Sequence, residues 1–253
     1  MYAEERQQEI LREARAAGRV DVVTLAEQFG VTTETIRRDL TVLERAGVLR
    51  RVHGGAIPVE RLGFEPAVAA RDEVMTDEKE RIAKAALAEL PQDGAIVIDA
   101  GTTTGRLVQV LPADRELTVI VNAPPLATAL ATRPNLTVFM LGGRVRGRTL
   151  ATVEDWALGQ LSQLHVDVAF MATNGCSVAK GLTTPDPAEA AIKRAMVASA
   201  QRSVLLADHT KFSSNYLARF ATLSDIDVIV SDTGLDLELA ADLAAAGPEV
   251  VRA

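Results

Sequence analysis

The sequence predicts an α/β protein in two parts: a small head of three helices and a hairpin, then a larger region built on a mostly parallel sheet. Three observations carry this prediction. Residues 4–46 repeat apolar side chains at helical spacing. From residue 76 onward, short β-branched runs alternate with amphipathic stretches. Between the two, residues 58–75 hold Pro58, Gly63 and Pro66 among charged residues and keep no sustained period. The expected division is therefore a head over 1–57, a linker over 58–75 and a second domain over 76–253.

Residues 4–16 place Ile10, Leu11 and Ala14 on one helical face. Val22 to Phe29 reads as a second helix ending at Gly30. Val31-Thr32-Thr33 turns into a third helix, which Gly47 stops just past its end. Val48 to Ile57 then alternates around Gly54-Gly55, a pair suited to a tight turn between two strands. In the larger region, strands are expected at 95–100, 118–121, 137–141, 168–172, 203–207, 228–231 and 249–251. Helices are expected at 77–90, 104–111, 126–132, 152–164, 188–200 and 237–246, with the sole tryptophan, Trp156, packing its helix. Continuous apolar strands separated by helices are the pattern of a sheet covered on both faces. Such sheets take ligands at the carboxyl ends of their strands.

Composition narrows the function classes. With 253 residues, 48% hydrophobic and 24% charged, the chain is long enough to bury a core without staples. One cysteine, Cys176, excludes an intramolecular disulfide framework and a cysteine zinc cluster. His53, His165 and His209 lie far apart, so no metal site is expected. Neither Gly-x-Gly-x-x-Gly nor Gly-Lys-Ser/Thr occurs, which argues against dinucleotides and nucleoside triphosphates; no cofactor is expected. The first residues lack the apolar segment of a signal peptide, and the most apolar stretch, 117–143, is broken by Asn122, Pro124, Pro125, Arg133 and Pro134. The expectation is a cytoplasmic protein with no membrane partner. The net charge of −7 is unevenly placed: nine Arg balance nine acids in 1–57, so the whole excess lies in 58–253. The two parts are expected to meet different partners.

In the third helix, Ile36, Leu40 and Leu43 form a buried stripe, with Arg37 on its flank and Arg38, Thr41 and Arg45 across from it. Thr32 suits the N-cap, ahead of Thr33 and Thr35 in the first turn. Short polar groups at the nose and guanidinium forks behind it are able to touch base edges and phosphates in a major groove. With the basic hairpin residues Arg50, Arg51 and His53 beside it, the set describes a winged helix-turn-helix reader of double-stranded DNA. Symmetric half-sites call for paired heads, hence a homodimer or homotetramer.

The larger region offers a second set. The turn Asp99-Ala100-Gly101-Thr102-Thr103-Thr104-Gly105 joins a strand to a helix, where free N–H groups and the helix dipole hold an anion such as phosphate. Asn122, Gly143-Arg144, Gly175 and Asp208 with Lys211 fall at the ends of further strands, which a parallel sheet gathers on one rim. Arg144 and Lys211 are suited to neutralise phosphate; Asp99, Asn122 and Asp208 are suited to sugar hydroxyls. Glu189 and Lys193 stand four apart on a helix, equally consistent with the rim and with a surface ion pair.

Several motifs recur together: Arg6-x-x-x-Ile10, Leu25-Ala26, Phe29-x-Val31-Thr32, Thr35-Ile36-Arg37-Arg38-Asp39-Leu40, Leu43-Glu44, Gly47 and Arg51-Val52-His53-Gly54-Gly55-Ala56. In these the head resembles the DeoR/GlpR family of bacterial transcription regulators. The larger region resembles that family's effector domain, similar in fold to ribose-5-phosphate isomerase, through Asp99-x-Gly101-Thr102-Thr103, Asn122, Gly142-Gly143-x-Val145-Arg146, Thr173-Asn174-Gly175, Gly181-Leu182, Glu189-x-x-x-Lys193 and Asp208-x-x-Lys211-Phe212. His209 stands where relatives often carry Ser. The resemblance implies a repressor of a carbohydrate-utilisation operon without catalytic residues, controlled by a sugar-phosphate effector. No residue selects the sugar; fructose 1-phosphate is a first guess. By the same resemblance, phosphate contacts fall to Gly101, Thr102, Thr103 and Lys211. The alternative is a sugar-phosphate isomerase or deaminase with an added head, for which Glu189, Asp99, Asp208 or His209 would move the proton. A metal sensor is disfavoured by the scattered histidines.

Overall fold

The computed structural model describes residues 2–17, 19–59, 65–212 and 214–253. The chain divides into two units, Met1–Pro66 and Ala67–Ala253. In the first, α1 (Ala3–Ala17), β1 (Val20–Asp21), α2 (Val22–Phe29), α3 (Thr33–Arg45), β2 (Leu49–Val52) and β3 (Gly55–Pro58) follow in order. The carboxylate of Asp21 caps α2 by accepting from the N–H groups of Val23 (2.9 Å) and Thr24 (3.3 Å). Gly30 closes that helix in the left-handed region, at φ +63°. The helical stripes meet in a core of Ile10, Leu25, Ile36, Leu40, Leu43 and Leu49.

The three strands pair antiparallel in the order β1-β3-β2. Two-residue β1 shows no period a sequence could reveal. It also explains the two glycines, whose roles differ from the expected Gly54-Gly55 turn. The turn is His53-Gly54, with Gly54 at φ +77°. Gly55 already belongs to central strand β3, where a Cβ would stand 2.0 Å from the carbonyl oxygen of Val20.

Of the expected linker, residues 60–64 lie outside the described residues. Its second half holds α4 (Val68–Asp72), the first element of the larger unit. There follow α5 (Thr76–Ala85), β4 (Gly94–Ile98), α6 (Thr102–Val110), β5 (Leu117–Val121), α7 (Pro124–Leu130), β6 (Leu136–Met140), β7 (Arg144–Val145) and β8 (Thr152–Val153). After these come α8 (Asp155–Leu161), β9 (Val166–Met171), β10 (Gly175–Ser177), β11 (Gly181–Thr184), α9 (Pro187–Ser199), β12 (Ala200–Leu206), β13 (Ala218–Ala221), β14 (Val228–Ser231), α10 (Leu237–Ala245) and β15 (Glu249–Arg252).

Seven strands pair in the order β15-β14-β12-β9-β4-β5-β6, all parallel. These are the seven expected strands. Successive side chains supply opposite faces: Ile96 and Ile98 join Ile82, Leu107 and Leu130 in one core, while Val97 joins Ala157, Ile192 and Leu243 in the other. The sheet is wound outward in both directions from β4 and β9, so the order of strands reverses between them. That is where a crevice opens at the carboxyl ends.

Differences from the expectation are local. α6 begins at Thr102 rather than Thr104. Thr152 and Val153, expected as helix, form β8 against β7. The strands β10, β11 and β13, of three or four residues each, make a small antiparallel sheet too short to show a period. Trp156 is 79% exposed instead of packing α8. Among the described residues, no helix is long and apolar enough to cross a membrane.

Candidate functional site

In the head, the side chain of Thr32 caps α3 by accepting from the Thr35 N–H at 3.1 Å. Thr32, Arg37 and Arg38 are exposed, and Thr33 and Thr35 are half-buried at the helix nose. Arg37 lies 3.6 Å from Glu34, an exposed pair that holds it loosely. Arg38, Arg45 and Arg50 are exposed and make no ion pair among the described residues. Arg51 latches the hairpin onto α3: its N–H donates to Glu44 (3.1 Å), and its guanidinium donates to the Thr41 hydroxyl (3.3 Å). His53 is exposed at the hairpin tip, where its carbonyl accepts from Arg19 at 3.1 Å. The eight residues singled out in the head thus lie on α3, its cap and the adjoining hairpin. One buried contact went unread: Arg6 Nε donates to Asp39 at 2.6 Å, and Gln7 Nε2 donates to the other carboxylate oxygen at 2.9 Å. Its signal was available, because Asp39 falls on the apolar face of α3 and a charge there needs a partner.

In the larger unit, α6 starts at the end of β4 with Gly101 as N-cap and no side-chain cap. Its first N–H groups, on Thr102 and Thr103, carry the positive end of the helix dipole. Gly101 is needed because a Cβ would stand 2.7 Å from that of Ala172. Thr104 is turned inward, its hydroxyl donating to the carbonyls of Asp99 (2.7 Å) and Gly101 (3.1 Å), so it shapes the loop rather than facing a ligand. Asn122, at the end of β5, holds the loop from the other side by accepting from the Ala100 N–H at 2.7 Å.

At the switch point, buried Asp99 accepts from the Ala172 N–H (3.0 Å) and from Lys193, whose ammonium also donates to the Ala172 carbonyl (3.1 Å). Burial pushes the Asp99 carboxyl up against the pull of Lys193. Glu189 is likewise buried, but its partners are Arg146 and Thr149. The two residues of the Glu189–Lys193 pair therefore face inward to separate partners, and the surface-pair reading is overturned. Arg144, by contrast, is exposed and pairs with Glu154 at 2.7 Å, while Arg146 bridges Glu189 and Asp186. The structure brings Arg146 to the rim where the sequence reading chose Arg144; the Gly-Gly-x-Val-Arg motif already contained it.

Gly143 and Gly175 serve close backbone contacts, since a Cβ would meet the Val153 carbonyl at 2.6 Å and the Ser214 carbonyl at 2.4 Å. Asp208 follows the end of β12, fully buried, with Lys211 at 3.5 Å from an Oδ2 that accepts no hydrogen bond. Burial raises its carboxyl, but Lys211, Thr210, Lys79 and His209 together bring it below the ordinary range. His209 donates its N–H to Asp232 and places Nδ1 2.8 Å from the same carboxylate. That contact raises the imidazole; on Asp232 burial pushes up, and the hydrogen bonds from His209 and Gly234 outweigh it, to about 2. The sequence reading also missed Lys79 of α5, a buried ammonium donating to the carbonyls of Arg71 and Val74 within electrostatic reach of Asp208 and Lys211. Burial pushes it down to about 8.

Comparison with known proteins places both units. Residues 6–61 match a family described as DeoR-like helix-turn-helix domain, and residues 74–233 match one described as DeoR C terminal sensor domain. The chain is 35% identical to the HTH-type transcriptional regulator GlpR of Haloferax volcanii, over 99% of its own length and 98% of that protein. It is 31% identical to a putative aga operon transcriptional repressor of Escherichia coli O157:H7, over 98% of its length and 93% of that protein. A solved structure, ribose 5 phosphate isomerase A from Neisseria gonorrhoeae, overlaps 55% of this chain and 54% of its own, with 16% identity and a TM-score of 0.41.

Proposed function

The chain belongs to the DeoR family of transcriptional regulators, and from that premise we propose that it represses a carbohydrate-utilisation operon under control of a sugar phosphate. In this reading α3 enters the major groove of operator DNA, with Thr32, Thr33, Thr35, Arg37 and Arg38 on bases and phosphates. Arg50, Arg51 and His53 of the hairpin lie along a phosphate strand. The protein works in the cytoplasm as a homodimer or homotetramer, since paired heads match paired half-sites.

The observation that carries the sensor half of the proposal is the bare N-terminus of α6 at the switch point of the sheet. A phosphate there accepts from the N–H groups of Thr102 and Thr103 over Gly101, with the Lys211 ammonium adding charge. The Asp99–Lys193 and Glu189–Arg146 pairs, Asn122 and Asp208 line the rim for hydroxyls, which need donors and acceptors in fixed places. The isomerase reading yields to this one, because relatives spanning the whole chain are named as regulators.

A thermal-shift screen of pentose and hexose phosphates tests the sensor half. A ligand at 100 times its dissociation constant adds about 2.7 kcal/mol, which raises the melting temperature of a unit this size by about 5 to 10 °C. The shift is expected for at least one member and disappears in Lys211→Ala. A panel without any shift contradicts the proposal.

A further inference from the structure

None of the five residues of α4 is fully buried, Val68, Ala70, Arg71 and Asp72 being half-buried. Polar contacts fasten its two ends. At the first, the Val68 N–H donates to the carbonyl of Arg148 at 2.8 Å. At the other, Lys79 donates to the carbonyls of Arg71 and Val74, while Arg106 lies 3.2 Å from the carboxylate of Asp72 and 3.4 Å from its carbonyl. Cations at the carboxyl end of a helix also meet the negative end of its dipole.

All three anchors stand on segments that carry the rim. Arg148 directly precedes Thr149 and follows Arg146 by two residues, and both of those hold Glu189. Arg106 lies one turn beyond Thr102 and Thr103 in α6. Lys79 feels the charges of Lys211, Asp208, Asp72 and Arg106. A cavity of about 290 Å³ lies between α4 and this loop, lined by Val68, Ala69, Thr102, Gly105, Leu126 and Leu150 among others. Finally, α4 is the first element of the sensor unit, so the chain from the head enters through it.

We propose that α4 is a strap tightened by the effector, with Lys79 and Arg106 as the positioning residues that carry the effect of a bound anion to the chain leading from the head. The sign follows from charge. Burial disfavours the Lys79 ammonium most, and Lys211 repels it while Asp208 attracts it. An anion placed against Lys211 cancels that repulsion and strengthens the donation of Lys79 to the end of α4. A segment with few buried contacts sits at the low end of local stability, where a small bias changes its docked population. The inference rests on the sugar-phosphate reading of the rim.

Hydrogen exchange on the full-length protein tests it, read at residues 67–75 and separately at residues 100–105, without addition and with inorganic phosphate, fructose 1-phosphate and a panel of other sugar phosphates. In the wild type, the member that protects 100–105 is expected to slow exchange at 67–75 by about tenfold, or about 1.4 kcal/mol. In Lys79→Met and Arg106→Gln, protection at 100–105 persists, which certifies the fold, while the change at 67–75 is lost. Protection at 100–105 with 67–75 unchanged in the wild type overturns the strap and leaves the rim reading standing. Protection at 67–75 that survives in both variants overturns the assignment of Lys79 and Arg106. If no member protects 100–105, the rim reading and the strap fall together.

Discussion

Replacing Lys193 by methionine removes the ammonium from Asp99 and leaves a carboxylate that is 1% exposed without its counter-ion. Taking one partner from a buried pair costs about 3 to 5 kcal/mol, because the remaining charge keeps its desolvation penalty and loses its compensation. The Ala172 N–H, at 3.0 Å from Asp99, remains and offsets part of that cost. With a urea slope of about 3 kcal/mol per molar for the sensor unit, the unfolding midpoint falls by about 1 to 1.7 M. Asp99→Asn alone strands the ammonium in the same way, although its contact with the Ala172 carbonyl persists. Asp99→Asn with Lys193→Met leaves no buried charge, so the double variant recovers to within about 1 kcal/mol of the wild type. Urea unfolding followed by far-ultraviolet circular dichroism measures all four proteins. Single losses under about 1 kcal/mol would refute the reasoning, since that is the size of a solvated surface pair, and the switch point would then be open to water.

Four further predictions concern the head and the far rim. Arg38→Ala weakens operator binding by about 1 to 3 kcal/mol if its guanidinium reads a base, and Arg50→Ala lowers the salt slope by about one without changing sequence preference; binding isotherms across a salt series separate the two. Asp39→Ala strips the buried Arg6 of its partner and costs the head about 3 to 5 kcal/mol; differential scanning calorimetry should show the head transition lowered while that of the sensor unit stays in place. The His209–Asp232 contact gives a pH dependence. Because the folded His209 titrates above its ordinary 6.5, its contribution is complete below that value and fades as pH rises through the raised pKa. Asp232, held at about 2, contributes above its ordinary 3.8 and loses this as pH falls toward 2. His209→Ala should flatten both limbs of the stability curve against pH, and a curve identical to the wild type would exclude the pair.

The sheet was legible because its inner parallel strands are buried on both faces and read as apolar runs: Ile96-Val97-Ile98 and Val204-Leu205-Leu206 need no partner to be recognised. The head was legible for a related reason, as Ile36, Leu40 and Leu43 mark the buried side of α3 and thereby expose Arg38. Contacts between distant residues were not. Lys193 meets Asp99 from 94 positions away, and no spacing rule separates that arrangement from a pair with Glu189 on the same helix. Arg144 and Arg146 are equally basic, and only the β7–β8 pairing decides which turns to Glu154 and which to Glu189. Thr104 shows the same limit, since its hydroxyl is satisfied by two carbonyls that become neighbours only once α6 starts at Thr102.

A metabolite held at the sheet rim is proposed to alter the grip of the head on DNA. Operator affinity of the full-length protein, measured at one salt concentration with and without each sugar phosphate that binds it, tests this directly. A change of at least about tenfold is expected for one of them, equal to about 1.4 kcal/mol of coupling. Identical affinities with and without every sugar phosphate that binds would contradict it.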